Sequence, residues 1–252
     1  MSWGTSRRNS ILFIIFLFII IPVGAIAFIL FYEPPNCFDG KQNGAEAGID
    51  CGGSCQLLCT NQMVEPVVLW ERSFRVSDGI YNLLAYIENP NTNGYVRNAP
   101  YSFKMYNKDG ILIGEKTGQV SIAPKSTRPV IENNIKTFEQ VPTKVTFEFT
   151  APLIYEQTEP KDSLVVIKDE IIENTDKSPR VKAKIQNISL KKLENIDVIV
   201  LVYDVFDNVL GTSSTFVKTL NPEEINHIVF TWPQAFSDEV GRIELIPIYE
   251  FE

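Results

Sequence analysis

Histidine is almost absent from this chain: His227 is the single one among 252 residues. That excludes a metal site built on two imidazoles and leaves one side chain as a candidate imidazole base. His227 lies in "EEINHIVF", a strand-like stretch with no G-x-S-x-G or comparable nucleophile setting nearby. It reads as a packed or solvated strand residue. No glycine-rich phosphate loop follows a strand and opens a helix, and no convincing helical period occurs after residue 36. Basic residues are also in deficit, 23 Lys and Arg against 31 Asp and Glu, a net of −8. With the N-terminal Arg7 and Arg8 set aside, 21 basic residues face those 31 acids. This balance argues against nucleic acid or anionic headgroups as partners of the bulk of the chain. The expected partners therefore include no nucleic acid, and no enzyme chemistry is expected.

What is present begins with "ILFIIFLFIIIPVGAIAFILFY", Ile11 to Tyr32, 22 residues without charge. At about 1.5 Å per residue a helix of this length spans roughly 33 Å, enough for a bilayer core of about 30 Å. Pro22 and Gly24 are tolerated in membrane helices. A cleaved signal peptide is the rival, because Ala25-Ile26-Ala27 resembles a small-x-small cleavage site. The run, however, exceeds the roughly 7–15 residues of a signal h-region. Residues 11–32 are therefore read as a retained single-pass transmembrane helix. Arg7 and Arg8 precede it, while Glu33, Pro34 and Pro35 follow. Positive charge stays inside, so residues 1–10 form a cytoplasmic tail and residues 33–252 lie outside the plasma membrane.

Next comes a cysteine-rich module, residues 33–63. All four cysteines of the chain, Cys37, Cys51, Cys55 and Cys59, fall within 23 residues. Outside the cytoplasm thiols pair, and so short a segment needs staples to be ordered, which predicts two disulfides. Three pairings are open to four cysteines. A zinc site of four thiolates is the rival, although structural zinc commonly uses two tight C-x2–4-C halves. Asp39, Asn43, Glu46 and Asp50 recur every three or four residues, interleaved with Gly40, Gly44 and Gly48. Hard oxygen ligands on a flexible loop suit Ca²⁺. The alternative is that they form Asx turns and face water.

From Val64 onward short apolar-alternating stretches are separated by turn residues. "KVTFEFT" (144–150) places Val145, Phe147 and Phe149 on one face, and "RVKAKIQN" (180–187) does the same with Val181, Ala183 and Ile185. "DVIVLVYDVF" (197–206) is apolar on both faces and predicts a central strand covered by a second layer. Lys108-Asp109-Gly110 marks a hairpin. The stretch "KDEIIENTD" (168–176) reads as a solvated strand edge, and Trp70 and Trp232 are expected to pack within the sandwiches. Internal similarity is stronger evidence of organisation. Ala85-Tyr86-Ile87-Glu88-Asn89 matches Ala183-Lys184-Ile185-Gln186-Asn187 at an offset of 98, and Tyr106 and Gly114 match Tyr203 and Gly211 at 97. Pro124 matches Pro222, and "PLIYE" (152–156) echoes "PIYE" (247–250). The expected fold is all-β: two tandem immunoglobulin-like, Greek-key β-sandwiches at 64–157 and 163–252, joined by a linker at 158–162. Asn187-Ile188-Ser189 is also an N-glycosylation sequon, relevant only in a eukaryotic secretory host.

Two resemblances add to this. The run C-x-D-G-x-x-N-x-x-E-x-G-x-D-C-G-G-x-C resembles a short cysteine-rich motif of bacterial secreted and surface proteins, which implies a surface setting. Each β unit resembles the FxLYD-type sandwich, akin to late-embryogenesis-abundant type 2 and fibronectin-like domains. Unit one carries Phe103-Lys104-Met105-Tyr106-Asn107 and Ile122-Ala123-Pro124; unit two carries Val200-Leu201-Val202-Tyr203-Asp204 and Leu220-Asn221-Pro222. The resemblance implies exported or envelope modules without catalysis. The function expected is thus that of a non-enzymatic membrane-anchored protein presenting two sandwiches to an envelope or surface partner. The alternative is a stalk or sensor that responds to Ca²⁺ bound by Asp39, Asn43, Glu46 and Asp50.

Overall fold

The computed structural model describes residues 3–159 and 163–249. Residues 160–162 of the expected linker and Glu250 of the "PIYE" echo lie outside the described residues. The chain divides into two compact units, residues 1–54 and 55–252.

In the first unit, helix α1 spans Trp3–Phe31. It begins well before the apolar run and stops one residue short of Tyr32, whose backbone N–H still donates to the Phe28 carbonyl at 2.8 Å. Its Ser10–Phe31 stretch has a mean hydropathy of 3.1 and is long and apolar enough to cross a membrane. A helix suits that environment because it satisfies its own backbone polar groups. The remainder of the unit is turn-rich, with one isolated bridge between Gly48 and Cys51. Gly53 cannot be replaced there: its φ is +62°, and a Cβ would sit 1.7 Å from the Ala45 carbonyl oxygen.

The second unit is all-β; among its described residues the only helical turn is a 3-10 segment, Thr60–Gln62. Its first half holds β1 (Leu57–Leu58), β2 (Val67–Ser77), β3 (Ile80–Asn89), β4 (Gly94–Tyr106), β5 (Leu112–Ile122), β6 (Ser126–Lys136), β7 (Lys144–Phe149) and β8 (Tyr155–Gln157). The second half holds β9 (Val165–Glu173), β10 (Arg180–Asn187), β11 (Leu193–Asp204), β12 (Val209–Leu220), β13 (Ile225–Thr231) and β14 (Val240–Ile248). In the first half β3 pairs with β2 and β6, while β4 pairs with β5 on one flank and with β7 and β8 on the other. In the second, β10 pairs with β9 and β13, and β11 with β12 and β14. Six strands pair in the same way in both halves, with β1 and β8 as additions to the first, and each half is a two-sheet sandwich.

Alternation decides which face goes inward. Val145 and Phe147 are buried, as are Val181, Ala183 and Ile185. The first core joins Leu83, Ala85 and Ile87 of β3 to Val96, Phe103 and Met105 of β4, with Phe103 and Phe147 edge to face at 5.0 Å. The second joins β10 to Val198, Val200 and Val202 of β11, with Trp232 packed in. "KDEIIENTD" begins within β9, the edge of its sheet, and Lys168 to Ile171 are exposed.

The residues matched at fixed offset share jobs. Asn89 and Asn187, both fully enclosed, brace the loop after their strand. The Asn89 amide donates to the carbonyls of Gly94 (2.7 Å) and Ala123 (3.0 Å), and that of Asn187 to Lys191 (2.7 Å) and Leu220 (3.0 Å). Asn107 and Asp204 each fold a hairpin tip as an Asx turn. Asn107 Oδ1 accepts from Asp109 and Ile111 N–H, both at 3.0 Å; Asp204 Oδ1 accepts from Phe206 (2.7 Å) and Asn208 (2.8 Å). The Asn208 side-chain amide, with these backbone bonds, holds the Asp204 carboxyl below its ordinary range.

A third core lies between the sandwiches. Phe74 of β2 and Leu84 of β3 meet Ile199, Leu201 and Tyr203 of β11, joined by the half-buried Trp70, Tyr86 and Ile131. These are the opposite faces of the strands that line the other two cores, so the covering layer predicted for 197–206 is the other sandwich. Strand β12 touches β2, β3 and β6 in turn. Polar links cross the seam as well: Asn82 Nδ2 donates to the Thr212 carbonyl at 2.8 Å, and Asn133 Nδ2 to Ser214 Oγ at 2.6 Å. Trp70 corrects an expectation. It stacks on Tyr86 at 5.4 Å within this seam, because its position on β2 faces away from the first core; only Trp232 packs inside a sandwich.

Candidate functional site

All four cysteines, Cys37, Cys51, Cys55 and Cys59, are disulfide-bonded. Disulfide sulfurs offer no thiolate, which removes the zinc reading. Between Cys37 and Cys51 the acidic side chains serve the backbone. The Asp50 carboxylate accepts the N–H of Asp39 (3.0 Å) and Gly40 (3.0 Å). Asp39 accepts the Lys41 N–H at 2.9 Å and the Asn43 side-chain amide at 2.7 Å. The amide, then the N–H, hold the Asp39 carboxyl below its ordinary range. Glu46 reaches back to the Asn43 N–H at 3.1 Å. Of these only the Asp39–Lys41 bond is an Asx turn; the Asp50 and Glu46 bonds tie together more distant parts of the loop. Among the described residues, the carboxylate oxygens of Asp39, Glu46 and Asp50 do not gather within 4.8 Å of one another. Asn43 Oδ1 is enclosed and has no hydrogen-bond partner.

His227 sits exposed on β13, opposite Lys184. The sequon is structural: its Asn187 amide already donates to two carbonyls, and its Oδ1 accepts from Ser189 N–H at 2.8 Å and Oγ at 2.7 Å. A glycan on that nitrogen would break the brace.

A cavity of about 480 Å³ opens at one end of the seam between the sandwiches. One wall is Tyr95 and Arg97, which alternation places on the same face of β4, and Glu156 of β8. The Arg97 guanidinium lies 5.2 Å over the Tyr95 ring and forks onto Glu156, Nε to Oε1 at 3.1 Å and Nη2 to Oε2 at 3.0 Å. A second wall is the β5–β6 turn, carrying Lys125 and Arg128. That turn is fixed by the Lys125 N–H on the Asn91 carbonyl at 2.7 Å, the Ser126 hydroxyl on the Ala123 carbonyl at 2.7 Å and Arg128 on the Ser121 carbonyl. The third is the end of β14, Ile246 to Ile248, and Tyr249, whose hydroxyl accepts the Leu164 N–H at 2.6 Å. A smaller cavity of about 210 Å³, lined by Asn195 and Asp197, shares Tyr95, Arg128 and Tyr249. Sequence reasoning missed every one of these groove residues. They come from five separate segments, and no local pattern joins them.

No protein-family model matches the chain, and no curated protein does. Solved structures with some likeness include red sea bream transglutaminase, 8% identical, covering 72% of this chain and 29% of that one, with a TM-score of 0.24. A β-glucuronidase from glycoside hydrolase family 2 is 12% identical over 69% of this chain and 24% of that one, TM-score 0.22. A Bacteroides uniformis β-glucuronidase is 14% identical over 64% and 22%, TM-score 0.22. The chain spans less than a third of the length of each.

Proposed function

We propose that this is a non-enzymatic, single-pass membrane protein that presents two docked β-sandwiches on the outer side of the plasma membrane, to an envelope or surface protein. Residues 11–32 would contact lipid, residues 1–10 remain cytoplasmic, and nucleic acid is no partner. The observation that carries this reading is the sequence of an apolar helix followed directly by a segment whose four cysteines are all bonded, a state that persists in oxidising compartments. The shared six-strand pairing of the two halves, with Asn89 and Asn187 in matching braces, supports descent from one FxLYD-type unit. Two measurements on intact cells test it. Alkylation with mass analysis should find no free thiol, and an impermeant label should reach lysines beyond residue 33. Free thiols, or a protected C-terminal half, would refute it.

A Ca²⁺-responsive stalk is the second reading, and Asn43 Oδ1, enclosed and without a hydrogen-bond partner, is the oxygen that favours it. Calorimetric titration of the full chain with Ca²⁺ decides. Saturable heat lost in Asn43→Ala and Asp50→Asn supports an ion there; no heat at about 1–10 mM, the weak end of extracellular sites, removes it.

A further inference from the structure

The cavity at the seam is not a gap left by poor packing. Its walls are held by named bonds on every side: the Arg97–Glu156 fork, the braced β5–β6 turn, and Tyr249 tied to Leu164. At about 480 Å³ it has the capacity of a small-ligand site. Its chemistry is of three kinds. Tyr95 and Tyr249, with Ile246 and Ile248, supply flat apolar surface. Ser126, Thr127, Thr158, Ser163 and the amide of Gln56 supply neutral donors and acceptors. Arg97, Lys125 and Arg128 supply cations against Glu156 and Glu159, an excess of positive charge on a protein whose net charge is −8.

A peptide added as a strand is poorly served here. Of the strands that border the groove, β6 and β14 are sheet edges, and each carries a proline, Pro129 and Pro247. Proline removes a backbone donor and is a usual guard against strand addition. A ligand that binds without a backbone ladder is served better. Sugar rings offer CH faces for tyrosine and hydroxyls for the Ser, Thr and Gln side chains. A carboxylate on the ring would meet Lys125 and the guanidinium of Arg128 as charge-assisted bonds.

We infer that the seam groove binds a short acidic oligosaccharide, two or three sugar rings bearing carboxylate, with Tyr95 as the stacking platform and Lys125 and Arg128 as the anion contacts. The inference deepens the reading of the chain as a surface interaction protein by naming a ligand class. The test uses purified full-length protein in detergent, so its outcome does not depend on membrane orientation and can fail separately from the topology experiment. Saturation-transfer NMR and calorimetry with trigalacturonate are expected to show saturable binding, roughly micromolar to millimolar, while neutral maltotriose binds at least about tenfold more weakly. Tyr95→Ala and Lys125→Gln should each weaken trigalacturonate binding about tenfold with the circular dichroism spectrum unchanged. Lys125 is exposed and holds its turn through its backbone N–H, so its variant keeps the test valid if Tyr95→Ala loosens the wall. No saturable binding up to about 10 mM, equal binding of the neutral sugar, or full binding by Lys125→Gln overturns the inference.

Discussion

Replacing Leu201 by alanine should destabilise both sandwiches together. Leu201 is fully buried, in the seam and not within either sandwich. Truncation removes three carbons, about 2.4 kcal/mol at about 0.8 kcal/mol per buried CH₂. The cavity left between two sheets that cannot fully collapse adds to that, and Leu→Ala losses at enclosed sites run at about 2.7–5 kcal/mol. A loss of about 3–4 kcal/mol is expected, a large share of the roughly 5–15 kcal/mol that holds a domain folded. For a body of this size it corresponds to about 6–16 °C in Tm. The protein carries its own probes. Trp70 reports on the seam and Trp232 on the second core, so a Trp3→Phe background with either Trp70→Phe or Trp232→Phe isolates one signal at a time. Urea and thermal melts by fluorescence should coincide for the two probes, and Leu201→Ala should lower both midpoints equally. Separate transitions in the parent, or a loss below about 1 kcal/mol, would mean that the sandwiches merely touch and that the seam is not a core.

Asn187→Ala should cost about 2–4 kcal/mol by urea denaturation, because it strands the enclosed carbonyl of Leu220 and the loop groups it braces. Asn187→Asp should not restore it, since a carboxylate cannot donate to that carbonyl. Asp204→Asn should leave the β11–β12 turn intact, as Asn107 already does that work in the other half, whereas Asp204→Ala should lose it. The Asp204 carboxyl is held below its ordinary value of 3.8 by its hydrogen bonds. Its contribution is therefore complete above that pH and lost as pH falls through the lower folded value. Melting of the parent below about pH 4 should accordingly drop more steeply than that of Asp204→Asn; parallel curves would refute the assignment. Cys51→Ser should open residues 33–63 to limited proteolysis, read as new cleavages by mass spectrometry; unchanged resistance would show that the disulfides do not order the segment.

Period-two alternation was enough to place the inward faces of β7 and β10, since Val145, Phe147, Val181 and Ile185 each had one apolar side and one polar neighbour. Trp70 was misplaced for the same physical reason. A tryptophan in an alternating strand is apolar whichever way it points, and only the partner on its outer side, here Tyr86, determines which core it joins. In the cysteine segment, composition allowed both ion ligands and turn-bracing side chains, because a carboxylate that accepts backbone N–H groups and one that holds Ca²⁺ look alike as letters. The bonds from Asp50 to Asp39 and Gly40 distinguish the two only through geometry.

The groove was unreadable in sequence for a deeper reason than distance along the chain. The stretch 197–206, apolar on both faces, announced that something must cover β11 but could not say what. The covering layer turned out to be β2, β3 and β6 of the other sandwich. Docking those faces carries the end of β14 to the β5–β6 turn, and only then do Tyr95, Lys125, Arg128 and Tyr249 line one cavity. Their juxtaposition is thus a product of Ile199, Leu201 and Tyr203, none of which touches the groove. If the seam is the source of the site, a variant that loosens it without unfolding either sandwich should lose ligand binding while Tyr95 and Lys125 stay in place. Ile199→Val, which removes a single methylene at an expected cost of about 0.5–1.5 kcal/mol, is mild enough to separate those two effects.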